Sequence, residues 1–278
     1  MIKRASIYWW HDNPKAARWA GKIDAWLKKK YPKIKLDEKN PQVLIVLGGD
    51  GTILDAAQRF RKGSPLIIGL NLGFVGFLAS VREPKNFFKA LDKFLEGHFK
   101  VAERMMIGVE VFRKRKSIFI SHAINEVVLQ NLLGLVEIEV NIDGHSVQYV
   151  RGTGIMAATA TGSTAYNLSA HGPIVMPDIK CMILTEIMDH NIPTPSIVVK
   201  RDREINLKVV NFRKRGLLRI SATDKPVDVI LSVDGSENIF PLEVGDVIKI
   251  RRSPGLIKFA ELESAYFFKS LREQFAFR

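Results

Sequence analysis

Val43-Leu44-Ile45-Val46-Leu47 runs straight into Gly48-Gly49-Asp50-Gly51-Thr52, and Ile53-Leu54-Asp55-Ala56-Ala57 follows. Five consecutive apolar residues suit a strand buried on both faces, as in a parallel sheet. The residues from Thr52 to Arg61 predict a helix directly after the glycines. That order puts the glycine turn beyond the carboxyl end of a strand, where parallel α/β sheets bind their ligands. Working outward, Ala5–Trp10 is a short apolar run. Ala17, Trp19, Ala20, Ile23, Trp26 and Leu27 recur at helical spacing between Pro14 and Lys30. Pro65–Leu70 is a further strand candidate, and Pro84–Leu95 a helix with Phe87, Phe88, Leu91 and Leu95 on one side. Strands alternating with helices predict an α/β domain on a parallel, doubly wound sheet.

The texture changes near residue 100. Val136, Ile138, Val140 and Ile142 alternate with polar residues, Asp143-Gly144 follows, and His145–Val150 continues. This predicts a hairpin with Asp-Gly at its turn. Further strands are expected at Ser196–Val199, Glu204–Val209, Leu217–Ser221, Val227–Val233 and Val247–Arg251, with a helical insertion from about Ser163 and a helical tail at Glu263–Phe275. The expected partition is 1–100, with 263–278 returning to it, as an α/β nucleotide-binding domain. Residues 101–262 then form a β-rich, antiparallel, sandwich-like domain.

The chain has 278 residues, 46% of them hydrophobic, which fills ordinary cores. No apolar run approaches the roughly 18 residues of a membrane span. The opening stretch Met1–Lys15 has no apolar leader, so no signal peptide is expected. Cys181 is the single cysteine, which excludes an internal disulfide and fits a reducing cytoplasm. The net charge of +13 attracts polyanions. It is spread over Lys28–Lys30, Arg113–Lys116, Arg213–Arg215 and Arg251–Arg252 with no nucleic-acid motif beside it, so solvated surface or small nucleotides account for it. The six histidines show no pair at metal-ligand spacing.

Glycines 48, 49 and 51 let backbone N–H groups approach phosphate oxygens, and the helix behind them adds its positive end. A carboxylate repels phosphate, so Asp50 makes sense there as a magnesium ligand or as acceptor of a proton from an attacking hydroxyl. A tight turn with Asp50 as helix cap is the plainer alternative. The second informative stretch is Thr161-Gly162-Ser163-Thr164-Ala165-Tyr166-Asn167-Leu168-Ser169, continued by Ala170–Val175. It offers hydroxyls at Thr161 or Ser163 to cap a helix, and an aromatic ring able to stack on a planar base. A capped helix with a core tyrosine remains open.

Gly48–Thr52 resembles a signature shared by NAD kinases, diacylglycerol-type lipid kinases and, in related form, phosphofructokinases. Thr161–Ser169 resembles the NAD kinase motif that lipid kinases lack. Asn71–Leu78 and Asn125-Glu126 resemble two further family motifs, in the family's order, and the likeness continues to Tyr266–Glu273. The resemblance implies transfer of the γ-phosphoryl group of ATP, or of another nucleoside triphosphate or polyphosphate, to the 2′-hydroxyl of the adenosine ribose of NAD, giving NADP. It implies Asp50 as the catalytic residue and Gly48, Gly49, Gly51 and Thr52 as the donor-phosphate loop. For NAD it implies Gly76, Phe77, Asn125, Glu126, Thr153, Thr164, Ala165, Tyr166, Ser169 and Met188. It further implies Mg²⁺ near Asp50 and Glu126, with no dedicated ligand set, and a cytoplasmic homodimer or homotetramer without nucleic-acid or membrane partners.

The chain departs from the family pattern at Thr153, where Asp is usual, and at Ala160, Ser80 and Met188. These positions bear on the nicotinamide end. Gly152-Thr153-Gly154-Ile155-Met156-Ala157 imitates a dinucleotide fingerprint, but Thr161-Gly162 interrupts the helix that a fingerprint requires. The alternatives to the kinase are a non-catalytic nucleotide sensor, against which Asp50 speaks, and a lipid or sugar kinase sharing the Gly48–Thr52 signature.

Overall fold

The short apolar runs near the start of the chain form parallel strands. In the computed structural model these are β1 (Arg4–Tyr8), β2 (Lys35–Leu36), β3 (Val43–Leu47) and β4 (Leu66–Leu70). Helices α1 (Pro14–Lys30), α2 (Asp50–Arg59) and α3 (Phe87–Leu95) lie between and after them. The structure describes residues 2–73, 76–190, 194–220, 224–235, 238–263 and 266–275. The strand order is β2-β1-β3-β4, with every pair parallel.

All five residues of β3 are buried. Val43, Ile45 and Leu47 join Ile23 and Leu27 of α1 and Phe87, Leu91 and Phe94 of α3 in one core. The period of two along a strand turns Leu44 and Val46 to the opposite face. There α2 packs so closely on β4 that a methyl on Gly69 would lie 2.6 Å from Ile53 Cδ1 and 2.9 Å from the Ala79 backbone. Helices therefore cover both faces. α1 starts where Asn13 Oδ1 accepts from Lys15 N and Ala16 N, both at 3.1 Å, with Pro14 in its first turn. α2 begins at Asp50, two residues before the expected start, because Gly49 is its extended cap. Pro84–Asn86 is a single 3-10 turn ahead of α3.

The chain continues through β5 (Lys100–Arg113), β6 (Lys116–Ala123), β7 (Glu126–Asn131), β8 (Val136–Ile142), β9 (His145–Thr159), the one-turn helix α4 (Tyr166–Ser169), β10 (Cys181–Asp189), β11 (Ile197–Lys200), β12 (Ile205–Phe212), β13 (Leu218–Ile220), β14 (Lys225–Val227), β15 (Val229–Val233), β16 (Ile239–Pro241) and β17 (Val247–Glu261). Residues 105–255 form one compact unit; residues 1–104 with 256–278 form the other. Within 105–255, described strand pairs are antiparallel. The long strand β9 gives its first half to β8 and its second half to β7 and β10. The β8–β9 hairpin turns through Asp143 (φ 50°) and Gly144 (φ 84°), the left-handed pair that an Asp-Gly turn supplies. The expected strand Val227–Val233 is divided. The Asp228 carboxylate between the two pieces accepts from Arg215 N (2.9 Å) and Gly216 N (3.1 Å). Ser221, at the end of another expected strand, lies outside the described residues.

The last residues of β17 return to the first unit, with Lys258 paired in parallel to Leu66 of β4. α5 (Tyr266–Phe275) follows in the same unit.

Gly69 yields the first test. Gly69→Ala forces Cβ against Ile53 and the backbone of Ala79, and should destabilise by roughly 1–3 kcal/mol, the usual cost of overpacking. Urea denaturation measures it. Gly63→Ala, where the nearest atom would be 3.7 Å away, is the control and should stay within about 0.5 kcal/mol.

Candidate functional site

The turn after β3 is shaped by what its glycines exclude. Gly48 N donates to Leu70 O at 3.1 Å, tying the turn to β4. A Cβ on Gly48 would sit 2.3 Å from Thr52 Oγ1, so the buried Thr52 fills that space. A Cβ on Gly49 meets nothing within 4 Å, and Gly51 is exposed. The outer side of the turn is thus bare backbone at the start of α2, a setting that favours anions.

Asp50 is not the cap of α2. It is the first helical residue, and its carboxylate reaches sideways to accept from Phe77 N at 2.7 Å and Leu78 N at 3.1 Å. Burial raises its pKa, and these two bonds oppose the rise. A Cβ on Gly76 would fall 2.1 Å from Asp50 Oδ1, so only glycine fits there. From the other side, Gly76 O accepts from Ser270 Oγ at 2.9 Å and Tyr266 OH at 3.3 Å. Arg82 in turn donates to Ser270 Oγ at 2.8 Å and Tyr266 O at 3.2 Å. Phe77 packs against Phe267 with ring centroids 5.8 Å apart. Asp50, Gly76 and Phe77 are therefore one hydrogen-bonded assembly. Phe74 and Val75, part of the Asn71–Leu78 motif, lie outside the described residues.

In the second unit, Asn125-Glu126 and the Thr161–Ser169 stretch meet. Thr159 N donates to Asn125 O at 2.8 Å, Thr159 Oγ1 to Ile124 O at 2.6 Å, and Gly162 would strike Asn125 O with any Cβ. Glu126 is paired with Ala158 across β7 and β9. The Asp234 carboxylate accepts from Ile124 N (2.7 Å), Asn125 N (2.7 Å) and Glu126 N (3.1 Å). Sequence reasoning passed over Asp234. Its signal was Asp-Gly directly after the apolar run of β15. Glu126 Oε2 is buried without a hydrogen-bond partner. Burial, with the Asp234 charge second, pushes its pKa up to about 8.

Neither Thr161 nor Ser163 caps a helix as expected. Ser163 is fully buried, donating to Ala160 O (2.7 Å) and accepting from Val175 N (3.0 Å). Asn167, also buried, donates to Pro173 O (3.1 Å) and accepts from Thr185 Oγ1 (2.8 Å). These inward bonds fix a short platform. Tyr166, 39% exposed, and Ser169 face out from it, while Thr164 and Ala165 are half-buried. Tyr166 is therefore not a core tyrosine.

Thr153 and Met188 oppose each other. Gly152 pairs with Asp189 and Gly154 with Ile187, and Met188 sits between at φ 48°, 77% exposed. Five residues of β9 separate Thr153 from Ala158, the partner of Glu126. That is about 17 Å at strand rise, so these two groups of residues are apart within one chain.

A parallel sheet with a bare glycine turn at a helix start, in a chain that also carries a β-rich unit, defines an α/β protein whose strand-end turn suits an anion. The model of the ATP-NAD kinase N-terminal domain matches residues 15–99, and that of the ATP-NAD kinase C-terminal domain residues 124–262. The NAD kinase of Lachnoclostridium phytofermentans is 35% identical over 257 residues, covering 91% of this chain and 86% of the relative. That of Symbiobacterium thermophilum is 36% identical over 84% of this chain and 77% of its own. Among solved structures, yeast NADH kinase complexed with NADH superposes with a TM-score of 0.85 at 23% identity, covering 100% of this chain and 88% of that one. An NAD kinase from Archaeoglobus fulgidus in complex with ATP gives 0.74 at 25% identity, covering 97% and 98%. The chain belongs to the ATP-NAD kinase family, and with it to the phosphotransferases.

Glu126 sets a pH test. Its folded pKa lies above its ordinary 4.5, so ionisation is harder in the folded state. The wild type therefore loses stability as pH rises from about 4.5 to about 8, relative to a neutral side chain. Glu126→Gln should match the wild type near pH 4.5 and exceed it by roughly 1–3 kcal/mol at pH 8, the range for an unsatisfied buried polar group. Chemical denaturation across that pH range reads the difference.

Proposed function

We propose that the chain phosphorylates NAD at the 2′-hydroxyl of its adenosine ribose, using ATP or another nucleoside triphosphate or polyphosphate, to give NADP. The observation that carries this reading is the Asp50 carboxylate: held by two backbone amides, it stands among glycines at a helix start, in a chain of the ATP-NAD kinase family. A ribose hydroxyl is a weak nucleophile at neutral pH and needs an acceptor for its proton. Asp50 takes that role, and each of its oxygens keeps lone-pair capacity beyond the single N–H bond it accepts. The raised pKa brings the carboxylate closer to the basicity a proton acceptor needs. Gly48, Gly49, Gly51 and Thr52 hold the donor phosphates through backbone N–H groups and the positive end of α2. The relatives solved with NADH and with ATP support a nicotinamide dinucleotide as acceptor and a nucleoside triphosphate as donor here.

For NAD, the assigned residues are Gly76, Phe77, Asn125, Glu126, Thr164, Ala165, Tyr166 and Ser169, with Thr153 and Met188 acting from a neighbouring copy. The exposed Met188 beside Thr153, about 17 Å along β9 from the Glu126 register, supports a homodimer or homotetramer. Mg²⁺ fits as an ion carried by the donor: the Asp50 carboxylate keeps acceptor capacity beyond its two amide bonds, and Glu126 Oε2 has no hydrogen-bond partner. When bound, it offsets charge on the transferring phosphoryl group. The buried free thiol of Cys181 fits a reducing cytoplasm; among the described residues no helix is long and apolar enough to cross a membrane.

Purified protein with NAD, ATP and Mg²⁺ should form NADP in a coupled dehydrogenase assay; formation of lysophosphatidic or phosphatidic product from lipid acceptors instead would overturn the reading. Asp50→Asn should lower turnover by about 10²–10⁴, the range for a general base. Asn offers one acceptor oxygen where two amides now bond, so the Michaelis constant for NAD should rise as well, but by less. Turnover near wild type at saturating NAD would leave Asp50 with the loop-holding role alone.

Tyr166→Ala should weaken NAD by roughly 1–3 kcal/mol, the range for base–aromatic stacking. The Michaelis constants for NAD and ATP, measured separately, check it, and only the former should move.

A further inference from the structure

Trp10 stands at the carboxyl end of β1, next in the sheet to the turn that follows β3. Its indole is 51% exposed, an uncommon placement for so large an apolar ring. The ring is not loose. Nε1 donates to Asp55 Oδ2 at 3.4 Å, and the same carboxylate oxygen accepts from Tyr8 OH. Arg59 lies 5.8 Å over the Tyr8 ring. Asp55 and Arg59 belong to α2, so the helix that begins at the glycine turn also orients the indole. The backbone is fixed as well, since Trp10 O accepts from Asn13 N at 3.1 Å, at the cap of α1.

The indole edge lies against the glycine turn. A Cβ built on Gly51 would be 3.7 Å from Trp10 Cη2, and no side chain stands between. A half-exposed indole therefore adjoins the bare backbone that suits phosphate. A phosphate chain on that backbone carries its nucleoside toward its neighbours, and an aromatic face is what a planar base needs.

We infer that Trp10 is a stacking subsite for the base of the phosphoryl donor, so that this chain prefers a nucleoside triphosphate to a bare phosphate chain. This rests on the reading of the Gly48–Thr52 turn as the donor site. Tyr8 and Asp55 are positioning residues for the indole and touch no ligand themselves.

The test compares two donor-site ligands, ATP and inorganic tripolyphosphate, on the full-length protein by calorimetry without NAD. Trp10→Ala should weaken ATP by roughly 5- to 100-fold, as loss of one stacking contact does, and leave tripolyphosphate within about twofold. Trp10→Phe, which keeps an aromatic face, should recover most of the ATP affinity, and ATP should quench indole fluorescence in the wild type far more than in Trp10→Ala. Unchanged ATP affinity in Trp10→Ala, equal weakening of both ligands, or no ATP binding by the wild type would overturn the proposal. Binding is read without turnover, so a protein that binds ATP through Trp10 but makes no NADP would sink the kinase reading and leave the subsite standing.

Discussion

The clamp between the Asp50 carboxylate and the amides of Phe77 and Leu78 fixes the surroundings of the glycine turn. It joins two loops that follow neighbouring strands, β3 and β4, and it works only because Gly76 has no side chain. A carboxylate this buried needs its hydrogen bonds, and the loop needs an acceptor for two amides. Each satisfies the other. The clamp also turns the carboxylate sideways, to the loop after β4. A capping role would turn the carboxylate toward the amides of its own helix; the geometry turns it sideways to Phe77 and Leu78 instead.

The second unit solves a similar problem with Asp234. Three consecutive amides, of Ile124, Asn125 and Glu126, converge on one carboxylate. That arrangement brings negative charge beside Glu126, already deprived of water, and raises its pKa further. The cost is borne in stability above mildly acidic pH. Natural proteins keep such locally unfavourable groups where function asks for them, and here the cost falls on a dipeptide that resembles a family motif.

Local signals were legible; long-range ties were not. The apolar run Val43–Leu47, the helical spacing from Pro14 to Lys30, and the Asp143-Gly144 turn each follow from a few neighbouring residues, and each forms the element it announces. The β5–β6 hairpin escaped notice because Lys114 and Arg115 take left-handed conformations (φ 49° and 66°) that usually call for glycine or asparagine. Arg82, Ser270 and Tyr266 escaped for a different reason. Their bonds join residues 184 to 194 positions apart, and nothing periodic marks them. Within the Thr161–Ser169 stretch, sequence could name the hydroxyls but not their direction. Ser163 and Asn167 turn inward and brace the platform, leaving Tyr166 and Ser169 outside.

The bond from Ser270 to Gly76 sets an order on assembly during synthesis. Strands β1 to β4 and the glycine turn emerge from the ribosome early, but the hydroxyls that hold the carbonyl of Gly76 are added some 190 residues later. Until α5 has been made, the loop is tied by its own backbone bonds to β4 and by Asp50, but the Gly76 carbonyl lacks the two hydroxyls that hold it. The end of the chain, made last, therefore completes the surroundings of a carboxylate placed near its beginning, so the order of synthesis and the order of the site's hydrogen bonds run opposite ways.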